Sequence, residues 1–271
     1  MHYLHTVRFP AFLLLAFACI SFTGNQQRLP DFVLETEANT IVTDNLANVY
    51  VISKDKITKY DLRLKFMKEF SNKNFGSITT ADVTNALRPL LFYREFGRIV
   101  FLDNTLSQNG EPIALEKLGY PLATLAASSY DNGLWIYDQP TFELLRFNTA
   151  LEITNRTGNL SQILAIELQP NFILEKDNRL FVNNPSTGIL VFDVFGTYVK
   201  TVPVTGLSTF QVADDDIIYV ANGMMHAWNL KTSETTDYLE PVNPKALNMR
   251  MERDAIFVQD STTVSSYLIK K

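Results

Sequence analysis

The sequence predicts an all-β protein, a six-bladed β-propeller of four-stranded blades, and three observations carry that expectation. An apolar triplet recurs six times, its middle residues spaced by 41, 44, 46, 38 and 38 positions. That spacing matches the roughly 40 to 50 residues a propeller blade occupies. Each triplet is followed by a polar turn and a second strand ending in an aromatic or Leu and often Asp or Asn. One strand-like segment, Asp31 to Ala38, precedes the first copy, while the last copy stops one strand short of a full blade.

At the N-terminus, His5 and Arg8 precede the apolar run Phe9 to Ile20. The run is shorter than the roughly 20 residues a membrane-spanning helix needs, and it has the length of a signal-peptide core. Residues 1–24 are therefore expected to be a signal peptide. Ala16-Phe17-Ala18 offers the small-x-small pattern a signal peptidase reads, and Ser21-Phe22-Thr23 offers a later one. Cys19, directly after Ala18, is the candidate lipid-accepting residue of a lipoprotein leader, although Ala16 and Phe17 depart from the usual pattern before such a cysteine. The remainder, 31–271, reads as a single propeller domain.

The six copies are Val49-Tyr50-Val51 leading to Tyr60-Asp61, Leu90-Leu91-Phe92 to Leu102-Asp103, Leu134-Trp135-Ile136 to Phe147-Asn148, Leu180-Phe181-Val182 to Phe192-Asp193, Ile218-Tyr219-Val220 to Trp228-Asn229, and Ile256-Phe257-Val258 to Tyr267-Leu268. Asp131-Asn132-Gly133, Asp177-Asn178 and Asp214-Asp215-Asp216 stand directly before aromatic strands, where Asx side chains bond the backbone and tolerate left-handed conformations. These acids read as turn residues. Leu62, Leu64 and Phe66 keep period two and predict the outer strand of the first blade; Asp82 to Leu87 predicts a short helix broken at Pro89. Pairing Asp31 to Ala38 with the last copy closes the ring and covers a sheet edge. The 11 glycines are few for such a fold.

The runs Asn48-Val49-Tyr50-Val51 with Ile57-Thr58-Lys59-Tyr60-Asp61, Leu90-Leu91-Phe92-Tyr93 with Ile99-Val100-Phe101-Leu102-Asp103, and Ser128-Ser129-Tyr130-Asp131-Asn132-Gly133-Leu134-Trp135-Ile136-Tyr137-Asp138 resemble the exported six-bladed propellers of TolB-like and NHL-like type found in Bacteroidota. The resemblance covers nearly all of the sequence beyond the leader and implies fold and compartment, with no catalytic residues to carry over. The WD40 pattern is absent, since no Gly-His to Trp-Asp pair recurs from blade to blade.

Composition narrows the chemistry. The formal charge is −5, and nucleic-acid binders need a basic stripe to displace counterions from phosphates, so no nucleic-acid partner is expected. Histidine occurs only at 2, 5 and 226 and cysteine only at 19. Beyond residue 30 the protein therefore lacks the residues for Cys/His zinc sites, thiol proteases, CxxC centres and disulfides. His226, flanked by apolar residues, reads as a structural histidine.

No catalytic residue, metal ligand or cofactor is assigned. Tyr93, Arg94, Arg98, Tyr130, Arg250 and Arg253 supply aromatic and guanidinium groups, and Arg94, Tyr130 and Arg250 are taken as binding candidates. Asn155-Arg156-Thr157 and Asn159-Leu160-Ser161 match a glycosylation sequon and read as chance matches in a polar loop. The expected function is a non-enzymatic protein-binding or scaffold role in the periplasm or at an envelope membrane, by a monomer with a protein partner, touching the membrane only through a lipid on Cys19. The alternative is a hydrolase or lactonase, or a calcium-dependent carbohydrate binder, using carboxylates at the channel mouth. Asp44, Asp82, Glu175 and Asp214, placed near inner-strand ends, are the acids that would serve it, as a glycosidase pair or as a calcium cage resembling that of six-bladed sugar lactonases.

Overall fold

The computed structural model describes residues 28–238, 241 and 243–269. Residues 1–24, expected to be a signal peptide, and Cys19 among them, lie outside the described residues. Six four-stranded antiparallel sheets form the propeller. From the axis outward, blade 1 is Thr40–Thr43, Val49–Ser53, Lys56–Tyr60 and Phe66–Ser71; blade 2 is Thr80–Asp82, Leu90–Tyr93, Arg98–Phe101 and Ile113–Ala114; blade 3 is Ala123–Ser128, Leu134–Asp138, Glu143–Phe147 and Ile153–Arg156. Blade 4 is Phe172–Lys176, Arg179–Asn184, Gly188–Asp193 and Tyr198–Val202; blade 5 is Gln211–Ala213, Asp216–Ala221, Met224–Asn229 and Thr235–Tyr238; blade 6 is Asn248–Glu252, Ala255–Gln259 and Thr263–Leu268, completed by Phe32–Glu35.

The apolar triplets lie in the second strand of each blade, and their lack of polar alternation has a geometric cause. Six apolar clusters fill the molecule, one between each pair of neighbouring blades. In blade 3, Leu134 and Ile136 pack towards blade 2 while Trp135 and Tyr137 pack towards blade 4. A strand covered on both faces must be apolar at successive positions. The copies are not in one register, however. Tyr50, Trp135, Phe181 and Phe257 face the following blade, whereas Leu91 and Tyr219 face the preceding one. Blades 2 and 5 are thus shifted by one residue relative to the triplet alignment, and a one-residue shift exchanges the two faces of a strand.

The Asp or Asn that closes each repeat has a defined task. In blades 1 to 4 the Oδ1 of Asp61, Asp103, Asn148 and Asp193 accepts the backbone N–H groups two and four residues on, and Asn229 of blade 5 accepts those of Lys231 and Thr232. The third residue after the Asx in blades 1 to 4, Leu64, Leu106, Leu151 or Gly196, and the fourth in blade 5, Ser233, have positive φ. This corrects the first outer strand: Leu62 and Leu64 belong to the Asp61 loop, and the strand begins at Phe66. The expected helix at 82–87 is also absent. Asp82 ends an inner strand, its carboxylate accepts the N–H and hydroxyl of Thr84, and the backbone turns there without coiling.

The three acidic turn segments do connect first and second strands, with Asn132, Asp177, Asn178 and Asp214 at positive φ. Asn and Asp tolerate that region through local hydrogen bonds, so the fold needs few glycines. Gly188 is one it does need, because a Cβ there would overlap the Val202 carbonyl oxygen.

Closure follows the expected route. Phe32–Glu35 pairs antiparallel with the strand Thr263–Leu268, from Phe32 opposite Ser266 to Glu35 opposite Thr263. Asp31 and Thr36 extend the ladder by bonds to Ser266 and Thr262, and the Asp31 carboxylate accepts the Leu268 N–H. Phe32 and Leu34 pack on the cluster between blades 6 and 1. With each ladder bond worth about 0.5–1.5 kcal/mol, a truncated protein starting at Asn39 should lose roughly 3 kcal/mol or more in urea unfolding. A midpoint equal to that of the longer protein would refute this closure.

Candidate functional site

The inner strands surround a central cavity of about 260 Å³, open on the face that carries the turns between first and second strands. Phe172, Leu174, Phe210 and Val212 give it apolar walls, and Thr43, Asp82, Gln211, Arg250 and Glu252 give it polar ones. Almost all of these polar groups bridge blades. Gln211 of blade 5 donates to Met251 O at 2.8 Å and to Glu252 at 2.9 Å, and accepts the Met251 N–H at 2.9 Å. Thr43 of blade 1 donates to the same Glu252 oxygen. The Ser128 N–H of blade 3 donates to Asp82 of blade 2 at 2.8 Å.

Arg250 is buried in the wall. Its guanidinium donates to the Phe210 carbonyl at 2.6 Å, the Thr209 hydroxyl at 2.9 Å and the Ile41 carbonyl at 3.4 Å, joining blade 6 to blades 5 and 1. Burial brings its pKa down to about 10. Arg250, taken from the sequence as a binding candidate, lines the cavity and at the same time gives three of its five N–H groups to neighbouring blades. Glu252 differs, because burial and the nearby Asp44 hold its carboxyl above the usual range, against the hydrogen bonds from Thr43 and Gln211.

The four acids expected near inner-strand ends are there; Asp82 and Asp214 line the central cavity, whereas Asp44 and Glu175 are held within the blades. Asp44 is buried within blade 1, accepting from Asn48 and from Tyr50 at 2.8 Å, with Lys59 Nζ at 3.8 Å. Glu175 accepts from the Ser129 hydroxyl, the Tyr130 N–H and the Trp135 indole at 2.7, 2.7 and 2.6 Å, tying blade 4 to the first turn of blade 3. Asp214 is an exposed turn residue. Among the described residues no group of three or more His, Cys, Asp or Glu is placed to hold a metal ion. His226 lies on the third strand of blade 5, stacked on Tyr219 with ring centroids 5.3 Å apart, its Nδ1 2.7 Å from Asp237 Oδ1 and its Nε2 3.2 Å from Ala221 O.

The mouth of the channel has a different character. Leu46, Leu87 and Tyr130 stand on the first turns of blades 1, 2 and 3, with 67%, 70% and 59% of their surface exposed. Tyr130 is held from both ends. Glu175 fixes its backbone, and the Arg146 guanidinium lies over its ring at 4.4 Å while pairing with Asp131 at 2.7 Å. Beside it a hollow of about 360 Å³ is lined by Arg88, Ser129, Lys176 and Tyr130 itself. Arg94 sits on the opposite face, in the turn after Tyr93. The three residues taken together from the sequence are therefore separated, one on each face and one inside. Leu46 and Leu87 escaped the sequence reading, although each is an exposed leucine inside an Asp- and Asn-rich turn. Gln211 and Glu252 carried no such signal.

No protein-family model matches the sequence, and no curated protein sequence does. The structure is similar to one component of the mitotic checkpoint complex (TM-score 0.63, 9% identity, 98% of this chain and 100% of that one). It is also similar to a catalytically inactive histidine-to-alanine variant of virginiamycin B lyase from Staphylococcus aureus with quinupristin (TM-score 0.55, 11% identity, 88% and 99%). A third likeness is to the extracellular domain of BT4673 from B. thetaiotaomicron (TM-score 0.54, 11% identity, 84% of this chain and 32% of that one). At these identities the likeness shows the propeller fold.

Glu252→Gln keeps the oxygen that accepts from Thr43 and Gln211 and removes the buried charge. Because folding raises the carboxyl pKa, Glu252 favours the native state below its ordinary value of 4.5, and that contribution is lost as pH rises through the folded value. The variant should therefore match the parent near pH 3.5 and be more stable at about pH 7 in urea unfolding. A variant less stable at neutral pH would show that the ionised carboxylate is what the fold requires.

Proposed function

We propose that the protein is an exported, non-enzymatic propeller that binds a protein partner in the cell envelope through the face bearing Leu46, Leu87 and Tyr130. The observation that carries this reading is the position of three exposed apolar side chains on the equivalent turns of three consecutive blades, one of them a tyrosine clamped before any partner arrives. Aromatic anchors dominate protein interfaces, and an anchor already ordered loses little entropy on binding. The ring supplies the rigid support for those turns.

Two further points favour binding over catalysis. Asp82, Gln211, Arg250 and Glu252, four of the channel's polar side chains, are engaged in joining blades. A lyase that shares the fold is inactive once a histidine is replaced by alanine, whereas His226 here is packed on the third strand of blade 5, away from the residues that line the cavity. Export rests on the leader at 1–24 and is in keeping with the extracellular domain among the similar structures. No helix among the described residues is long and apolar enough to cross a membrane.

The test is affinity capture from envelope membranes with the full-length protein, quantified by mass spectrometry. Leu46→Ser with Leu87→Ser and Tyr130→Ala should lower recovery of the partner by about tenfold or more, since a central anchor is worth about 2 kcal/mol or more. His226→Gln should leave recovery and the biological role unchanged. Full recovery by the triple variant, or loss of the role in a folded His226→Gln protein, would overturn the proposal.

A further inference from the structure

The face opposite Tyr130 holds a groove made of two adjoining hollows of about 640 and 540 Å³. Arg94, Thr124, Gln139 and Phe142 line both. Blades 2 and 3 and the connection that follows blade 3 contribute. Arg94 comes from the turn between the second and third strands of blade 2, and Gln139 and Phe142 from the same turn of blade 3. The far wall, Glu167 to Asn171, belongs to the connection between blades 3 and 4, which holds the α-helix Leu160–Leu164. A long connection with its own secondary structure, set against a rigid scaffold, is where recognition is commonly built.

The side chains of Arg94 and its neighbour Glu95 and the Tyr137 hydroxyl are among the groove's groups that lack partners among the described residues. The exposed Arg94 guanidinium has no ion pair or hydrogen bond among the described residues, whereas Arg98, four residues on, is paired through two bonds with Glu116. Tyr137 lines the groove with 1% of its surface exposed, and its hydroxyl has no hydrogen-bond partner. Buried polar atoms are almost always satisfied, and an exception calls for an explanation. A ligand that supplies an acceptor is one. Burial keeps the phenol neutral, its pKa pushed up to about 12, so the hydroxyl remains a donor.

We propose that this groove binds an extended peptide segment, with Arg94 taking a carboxylate of the peptide and Phe142 an apolar side chain. A guanidinium fork matches a carboxylate in two parallel hydrogen bonds. The Gln139 and Gln169 amides suit peptide N–H and C=O groups, and Pro121, Leu122 and Pro140 continue the apolar floor beyond Phe142. A neutral glycan would give Arg94 no opposite charge. The carboxylate has two sources, an acidic side chain or the peptide's own C-terminus. The site is separate from the face proposed above for the envelope partner.

The test begins with a display library of random nonapeptides selected on the full-length protein, the enriched peptides then being labelled with fluorescein and titrated by fluorescence polarisation. Enrichment of carboxylate-bearing peptides is expected. Glu→Gln or Asp→Asn in the peptide should weaken binding by about tenfold or more if an acidic side chain is recognised, and C-terminal amidation should do so if the terminus is, as for loss of a charge-assisted pair. Arg94→Gln should produce the same loss. Tyr137→Phe should weaken binding while leaving the melting temperature equal or higher, which a merely structural tyrosine would not do. Tyr130→Ala should leave peptide affinity unchanged, so this groove and the envelope-partner face fail or survive separately. No enrichment, enriched peptides without a carboxylate, or equal affinity in Arg94→Gln or Tyr137→Phe would overturn the proposal.

Discussion

Everything in this molecule is arranged around the radial convergence of six sheets. Strands that meet at an axis are crowded there, and the polar groups on them are taken out of bulk water before they have partners. Burying a polar group without a hydrogen bond costs more than making the bond returns. The inner strands meet that constraint by bonding to neighbouring blades. Arg250 links blade 6 to blades 5 and 1, Gln211 and Glu252 link blades 5 and 6, Asp82 reaches blade 3, and Glu175 binds back to the first turn of blade 3. Opening the ring between blades 5 and 6, 6 and 1, 2 and 3 or 3 and 4 would strip a buried charged group of hydrogen bonds, and a buried charge left without partners is costly.

The same links hold Asp82, Gln211, Arg250 and Glu252 as structural donors and acceptors. Glu175 shows the connection most clearly. By accepting from Ser129, Tyr130 and Trp135 together it joins two blades and also fixes the backbone of the exposed tyrosine at the channel mouth. Rigidity at the axis thus becomes order at the rim, and under the proposed function that order lowers the entropic cost of docking. The opposite face follows the other strategy, using the longest connection and an unpaired arginine over a groove.

The features legible in the sequence were those that obey local rules. Apolar triplets at blade spacing, Asx residues closing each repeat and an unpaired N-terminal strand all follow from strand period, turn chemistry and the avoidance of open edges. What escaped depends on tertiary context. Arg250, in Asn248-Met249-Arg250-Met251-Glu252, looks like a half-exposed strand residue until carbonyls of two other blades close round it. Leu64 continues an apolar alternation yet lies in a loop, because Asp61 draws the backbone into a turn before the strand can start. Asp82 to Leu87 has helical composition, but the Asp82 carboxylate is committed to Thr84 and Ser128. The facing of blades 2 and 5 was hidden because a strand apolar on both sides has no periodicity to reveal it.

The central claim is that the charged channel serves the fold while recognition belongs to the rim formed by the first turns. Hydrogen–deuterium exchange of the protein free in solution and held on envelope membranes tests it most directly. Added protection confined to residues 44–48, 83–88 and 129–133 is the predicted result. Protection concentrated in the inner strands 172–176 and 211–213 that line the channel, with the rim unchanged, would contradict it.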